Sequence, residues 1–239
     1  MKFLELPPLT PAENLAADEV LLDACEAGLG GETLLFWEPR ETFVVVGYAN
    51  KVAAEVNLSA CERRAIPVFR RCSGGGTVVQ MPGGLNYSLL LPITEEGPNR
   101  NITAANAHIM DRTRRALAAA SGLPVLVRGH TDLAIGDQKF SGNSQRRRRN
   151  WLLFHGTLLL AANLDLIGEL LPMPTQEPDY RAHRPHLDFI QNLPVSPASV
   201  KMALRAEWDA HEPFIDPPLA QVADLAREKY STTAWNLKF

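Results

Sequence analysis

Apolar residues recur at helical spacing at Ala17, Val20, Leu21, Ala24 and Cys25, which predicts a helix with one face packed against the rest of the molecule. Its start is marked by Thr10-Pro11-Ala12-Glu13: a threonine cap, a proline at the first helical position, and a glutamate three residues on to complete a capping box. Gly28 and Gly30-Gly31 end it. Thr33 to Trp37 and Thr42 to Tyr48 read as strands on either side of a turn at Glu38-Pro39-Arg40-Glu41. Asn57 caps a short helix running to Arg64. Pro67 to Arg71 and Thr77 to Val79 are strand-like, with a glycine run between them. After a turn at Pro82-Gly83-Gly84, Leu85 to Leu91 stops alternating at its apolar end, as a central strand does.

Asn101 to Ser121 carries the clearest helical pattern and closes at Gly122, before Pro124. Four strand-like runs follow: Pro124 to Val127, Thr131 to Ile135, Gln138 to Gln145, and Trp151 to Ala161. Asn163 to Leu170 reads as a helix. Pro172 to Leu193 is irregular and rich in proline, histidine and arginine. Ser196-Pro197 caps a helix to about Trp208, and Asp216-Pro217-Pro218 caps one to about Lys229. Strands dominate the middle and helices stand on either side, without regular βαβ alternation. The fold class is α+β, or mixed α/β.

Composition adds limits. The 239 residues are 46% hydrophobic and 21% charged, an ordinary globular balance, long enough to bury a core without staples. A net charge of −3 gives no support to a nucleic-acid partner. The 3 cysteines, Cys25, Cys61 and Cys72, are odd in number and far apart, which fits a reducing compartment and neither a disulfide framework nor a zinc knuckle. The start, Met1 to Pro8, lacks a signal-peptide pattern, and no apolar run reaches membrane-spanning length. The expectation is a soluble cytoplasmic protein with neither nucleic acid nor membrane as partner.

The candidate chemistry centres on Arg70-Arg71-Cys72-Ser73-Gly74-Gly75-Gly76-Thr77-Val78-Val79. Three glycines permit positive φ and remove every Cβ, so backbone N–H groups can close on an anion. Guanidinium matches phosphate or carboxylate in two-pronged fashion. The alternative is a glycine-rich hairpin with solvated arginines. A P-loop is excluded, because no Gly-Lys-Ser/Thr follows the glycines. Gly142, inside the polar run 138–145, marks close backbone approach. Lys139 taken alone is a surface strand lysine. His155, among Leu152, Leu153, Phe154 and Leu158, reads first as a core histidine that could line a site. Cys72 reads as structural. Arg146 to Arg149 is a solvated turn, or else a mobile loop or a dock for an acidic partner. His183, His186 and Asp188 lack a fourth ligand and a helix, so no metal site is assigned.

Taken together, Arg70-Arg71-x-Ser73-Gly74-Gly75-Gly76-Thr77-Val78, Leu85-Asn86-Tyr87-Ser88, Thr131-Asp132-Leu133, Gln138-Lys139-Phe140-Ser141-Gly142-Asn143 and His155-Gly156-Thr157-Leu158-Leu159 resemble the lipoate–protein ligases. Order and spacing match from about Glu13 to Asn236. The resemblance implies a mixed sheet flanked by helices, shared with biotin–protein ligases and related to class II aminoacyl-tRNA synthetase cores. It implies activation of lipoate with ATP and Mg²⁺ to lipoyl-adenylate, then transfer to a lysine of a lipoyl carrier domain, such as a dehydrogenase E2 subunit or H-protein. Lys139 matches the essential lysine and Asp132 an acidic residue near the adenylate. Arg70, Arg71, Gly74 to Gly76 and Thr77 to Val79 match the loop around the adenylate and lipoyl carboxyl. Asn86, Ser141, Gly142, His155 and Gly156 complete the expected binding set.

Three departures stand out. Gln80-Met81-Pro82-Gly83-Gly84 replaces a His-Asp pair, and Thr131-Asp132 replaces Asn-Asp. The chain ends just past Trp235-Asn236, where many ligases continue into a C-terminal domain. The expectation is therefore one catalytic domain over 1–239, without that accessory domain, working with a separate small subunit or without one. The alternative function is an ATP-independent octanoyl or lipoyl transferase, against which stands the lack of a matching cysteine. A biotin ligase fits the Arg-Arg-x-Ser-Gly-Gly-Gly-Thr run less well, and a non-enzymatic binding module lacks a recognised motif.

Overall fold

The computed structural model describes residues 1–239. The chain opens with β1 (Lys2–Glu5) and α1 (Pro11–Glu26). The capping box forms: Glu13 N–H donates to Thr10 Oγ1 at 3.3 Å, and the Glu13 carboxylate accepts from Thr10 N–H at 2.8 Å. β2 (Thr33–Trp37) and β3 (Phe43–Val46) come next. Only a turn separates them, yet they do not pair; β2 enters a large sheet and β3 the middle of a small one. α2 (Val52–Glu55), α3 (Leu58–Arg63), β4 (Val68–Arg70), β5 (Val78–Gln80), β6 (Gly84–Pro92) and α4 (Ile102–Ser121) follow. Asn57 caps α3 and Asn101 caps α4 through their side chains, and Gly122 closes α4 with a left-handed φ of 68°.

The second half runs β7 (Val125–Arg128), β8 (Asp132–Ile135), β9 (Gln138–Arg147), β10 (Trp151–Leu159), α5 (Leu164–Leu170) and, after a single 3₁₀ turn at Asp179–Arg181, α6 (His186–Phe189). It ends with α7 (Pro197–Glu207), β11 (Glu212–Pro213), α8 (Leu219–Leu225) and α9 (Thr233–Asn236). Asp216 does not cap α8. Pro218 holds the cap position without a side-chain bond, and Asp216 sits at φ 52°. Beyond α8 the helix widens, with Ser231 N–H reaching back to Ala226 O.

The large sheet has the order β11-β1-β2-β6-β10-β9-β8-β7. Its first two pairs are parallel and the rest antiparallel. This mixed sheet flanked by helices is the expected α+β class. β6 lies at its centre and is buried along nearly its whole length, which is why its apolar positions run on instead of alternating. Successive residues of β2 face opposite ways. Leu34 and Phe36 join α4 and α7 in one core, while Leu35 and Trp37 join α1 and α8 in another. A third core ties the small sheet to α3, α5 and α6 through Val44, Val46, Cys61, Leu170 and Phe189.

The arginine run 146–149 is not a solvated turn. Arg146 and Arg147 continue β9, and their guanidinium groups donate to the carbonyls of Cys72 (2.6 Å) and Asn99 (2.8 Å). Arg148 pairs with Asp23 on α1 at 2.6 Å. Only Arg149 lies free in the turn. The run is read correctly only once backbone carbonyls that need donors are in view.

Candidate active site

β4 and β5 lie on opposite sides of β3. The glycine run between them therefore is not a hairpin; it crosses the end of β3. Gly47, just after β3, makes room for it, because a Cβ there would collide with Gly75 O. Gly75 itself sits at φ 86°, a conformation open to glycine and costly for side chains with a Cβ.

The two arginines before the loop part company. Arg70 is fully buried and donates to five carbonyls, those of Gly47, Tyr48, Asn50, Trp235 and Asn236. It knots the C-terminal segment to β3 and β4 and, unlike the other arginine expected at the site, does not line the cavity described below. The reason is the alternation of strand side chains to opposite faces. Arg71 points the other way. Its guanidinium donates to Ser73 Oγ (3.0 Å), Gly74 O (2.5 Å) and Gly76 O (2.7 Å). Burial pulls it down to about 10, so it is still a cation at neutral pH. With the loop carbonyls held this way, the amides of Gly74, Gly75 and Gly76 make no hydrogen bond inside the chain. Free amides beside a fixed cation are what an anion-binding nest requires.

The loop borders a cavity of about 980 Å³ between the two sheets. Of the residues expected from sequence, Arg71, Gly75, Gly76, Thr77, Val78, Val79, Asn86, Asp132, Lys139, Ser141, Gly142, His155 and Gly156 line it. Arg70 and Gly74 do not; Gly74 contributes to the loop frame through its carbonyl, which also accepts from Ser144 Oγ at 2.9 Å.

Facing the loop, Lys139 on β9 holds its Nζ 2.7 Å from Asp132 Oδ1. Tyr180, in the segment after α5, donates to the other Asp132 oxygen at 2.8 Å. Burial and the Asp132 carboxylate push the Tyr180 phenol upward, so it stays a donor. Gly142 leaves space for the lysine, since a Cβ there would lie 3.0 Å from Nζ. Close approach at this glycine is thus to the Lys139 side chain. A polar cluster forms part of the lining: Gln80 exchanges hydrogen bonds of 2.8 Å with Asn86 and donates to Thr157 Oγ1 at 2.8 Å. Gln80 opens the stretch that departs from the resembled family, and its side chain is bound to these neighbours. Leu15, Trp37 and Val45, which share one apolar cluster, add apolar lining to the cavity.

His155 also faces the cavity, between two residues absent from the sequence-level set, Asp18 and Ser73. A signal for Asp18 exists in the sequence: it lies one turn from Leu15 and Leu22, a carboxylate on the apolar stripe of α1. Cys72 is buried, and burial with the nearby Glu19 and Asp18 carboxylates pushes its thiol up to about 12. It therefore carries no thiolate for nucleophilic attack. His183 pairs with Glu177 at 2.6 Å, and His186 Nε2 meets Pro172 O at 3.1 Å.

The site thus offers a fixed cation, free amides and a paired lysine around one cavity. Known proteins are similar to this chain in sequence and in fold. The "Probable lipoate-protein ligase A" of Mycoplasma pneumoniae is 32% identical over 71% of this chain, and the chain spans about half (48%) of that relative's length. The "Octanoyltransferase LipM" of Halalkalibacterium halodurans is 25% identical over 99% of this chain and 98% of its own. A crystal structure of lipoate-protein ligase A bound with ATP superposes with a TM-score of 0.85 at 23% identity, covering 99% of this chain and 98% of that one. A bi-partite lipoate protein ligase from Thermoplasma acidophilum, solved with its E2 lipoyl domain as subject, gives a TM-score of 0.82 at 22% identity, over 99% and 95%. A sequence model of the lipoyl protein ligase A/B catalytic domain matches residues 10–202, and the chain belongs to that family.

Proposed function

We propose that this chain is an ATP-dependent lipoate–protein ligase, which joins lipoate to AMP and then passes the acyl group to a lysine on a lipoyl carrier domain. The observation that carries this reading is the loop of Gly74 to Gly76, whose Gly74 and Gly76 carbonyls are tied to Arg71 while its amides stay free. Adenylation must bring a carboxylate to an α-phosphate, two anions that repel. Preorganised donors and fixed positive charge offset that repulsion. Arg71 and the amides serve one side of the cavity and Lys139 the other. Lys139 is held at Asp132 and can turn from that carboxylate toward a bound anion. In the transfer step, charge grows on the acyl carbonyl oxygen, and the ammonium stabilises it there. The family match and the ATP-bound structural relative support the same reading.

Mg²⁺ would arrive with the nucleotide, held mainly by phosphates and water, which needs only one or two protein carboxylates. Asp132 fits that demand, being the cavity carboxylate beside Lys139. The ion would neutralise phosphate charge.

Residues 1–239 are read as one catalytic unit acting in the cytoplasm, where its three free, buried cysteines stay reduced. The acceptor is proposed to be an E2-type or H-protein-type lipoyl domain. The alternative, direct octanoyl transfer between carriers, is favoured by the LipM relative and opposed by the inert Cys72. Two assays on the purified chain test the reading: pyrophosphate release from ATP and lipoate, and acceptor lipoylation from synthetic lipoyl-adenylate. Both should proceed if the chain is sufficient. Transfer without activation would show that a separate small subunit completes the first step. Failure of both, with ATP-independent transfer from octanoyl carrier, would replace the proposal by its alternative.

Gly75→Val gives a second check. Valine resists φ 86°, and its Cβ would lie 3.0 Å from the Arg71 guanidinium. The expected result by calorimetry is a loss of ATP and lipoyl-adenylate affinity of about 5- to 150-fold, from strain on the order of 1–3 kcal/mol. Unchanged affinity would refute the nest.

A further inference from the structure

Four parts of the chain meet at His155. The imidazole stands on β10, and its Nδ1 lies 2.7 Å from Asp18 Oδ2 on α1. The other Asp18 oxygen accepts the Ser88 hydroxyl of β6 at 2.7 Å. The Asp18 carboxylate is placed to accept from Nδ1, and Nε2 is turned toward the glycine loop. The Ser73 hydroxyl sits 2.5 Å from Nε2, and its oxygen also accepts Arg71 Nε–H at 3.0 Å.

A Ser-His-Asp arrangement raises the possibility of a nucleophilic serine. Two observations argue against it. Ser73 is 1% exposed and does not line the cavity. Its oxygen is also already covered by the Arg71 guanidinium.

The arrangement instead explains how the glycine loop keeps its shape. β4 and β5 do not pair with each other, so no ladder fixes the loop between them. Arg71 holds the carbonyls of Gly74 and Gly76. Ser73 holds Arg71, His155 holds Ser73, and Asp18 holds His155. We infer that Asp18 and His155 are positioning residues for the anion-binding loop, acting through Ser73 and Arg71 to keep the Gly74–Gly76 amides free for ligand. The identity of the ligand rests on the ligase reading above; the relay itself does not.

Asp18→Asn and His155→Gln keep side-chain bulk but break the order of donors and acceptors. The full chain is examined in two ways: backbone amide NMR of Gly74 to Gly76 without ligand, and affinity for a lipoyl-sulfamoyl-adenosine probe. Each variant should shift the three glycine resonances and weaken the probe about tenfold, the effect of one buried hydrogen bond. The double variant should lose no more than the worse single one, because both act along one chain. Lys139→Ala should weaken the probe without moving the glycine resonances. Unmoved glycine resonances, additive losses, or an acyl ester found on Ser73 would each overturn the inference. If wild type fails to bind the probe, the ligase reading falls and the NMR comparison still decides the relay. Should Asp18→Asn not fold, Ser73→Ala interrupts the same chain from its other end and must move the same resonances.

Discussion

Replacing Lys139 with alanine is expected to cut acyl transfer by about a hundredfold or more, the usual effect of removing one preorganised charge-stabilising donor, while the protein stays folded. The two halves of this expectation come from different observations. Lys139 lines the cavity, and its side chain is 28% exposed. Little packing is lost when it is shortened. Asp132 is not stranded either, since Tyr180 still donates to it. The β9 backbone keeps its link to Gln191 N–H through the Lys139 carbonyl. Single-turnover transfer from synthetic lipoyl-adenylate measures the rate, and thermal melting measures the fold. Near-normal transfer would remove the lysine from the mechanism. A large fall in melting temperature would recast it as structural.

Arg70→Ala is expected to act in the opposite way, destabilising the chain by about 3–5 kcal/mol, because buried carbonyls lose their donor at about 1–3 kcal/mol each. The guanidinium is fully buried and serves five carbonyls from two distant stretches, 47–50 and 235–236. Truncation removes the guanidinium donor from all five; Gly47 O keeps Asn50 N–H at 3.1 Å, and the buried acceptors left without a partner cost free energy. The Arg70 main-chain N–H and carbonyl keep their bonds to the side chains of Asn236 and Trp235, so the strand itself persists. Urea unfolding should show the midpoint fall with the slope preserved. Unchanged stability, with ligand affinity lost instead, would return Arg70 to the site.

These paired arginines mark where sequence reading succeeds and where it stops. Local signals were legible: the capping box of α1, the Gly122 stop of α4, and the unalternating apolar end of β6 all form as read. Motif order was enough to gather thirteen residues around one cavity. Pairing was not legible. Nothing local to the turn at 38–41 says that β2 and β3 enter different sheets, or that β3 lies between β4 and β5. Strand partners are set by tertiary packing, and short connections do not reveal them. Arg70 and Arg71 look alike in sequence because their roles depend on which face each occupies. Asp18 and Ser73 were missed for a related reason. Each meets His155, which lies 137 residues from one and 82 from the other.

The central claim is that this cavity makes and holds an acyl-adenylate. A native mass spectrum of the purified chain, incubated with ATP, Mg²⁺ and lipoate, tests it directly. The account predicts a retained mass equal to lipoyl-adenylate, absent when ATP or lipoate is omitted and lost in Gly75→Val. A chain that retains no adenylate, yet moves an octanoyl group from a carrier thioester to the acceptor lysine without ATP, would contradict it.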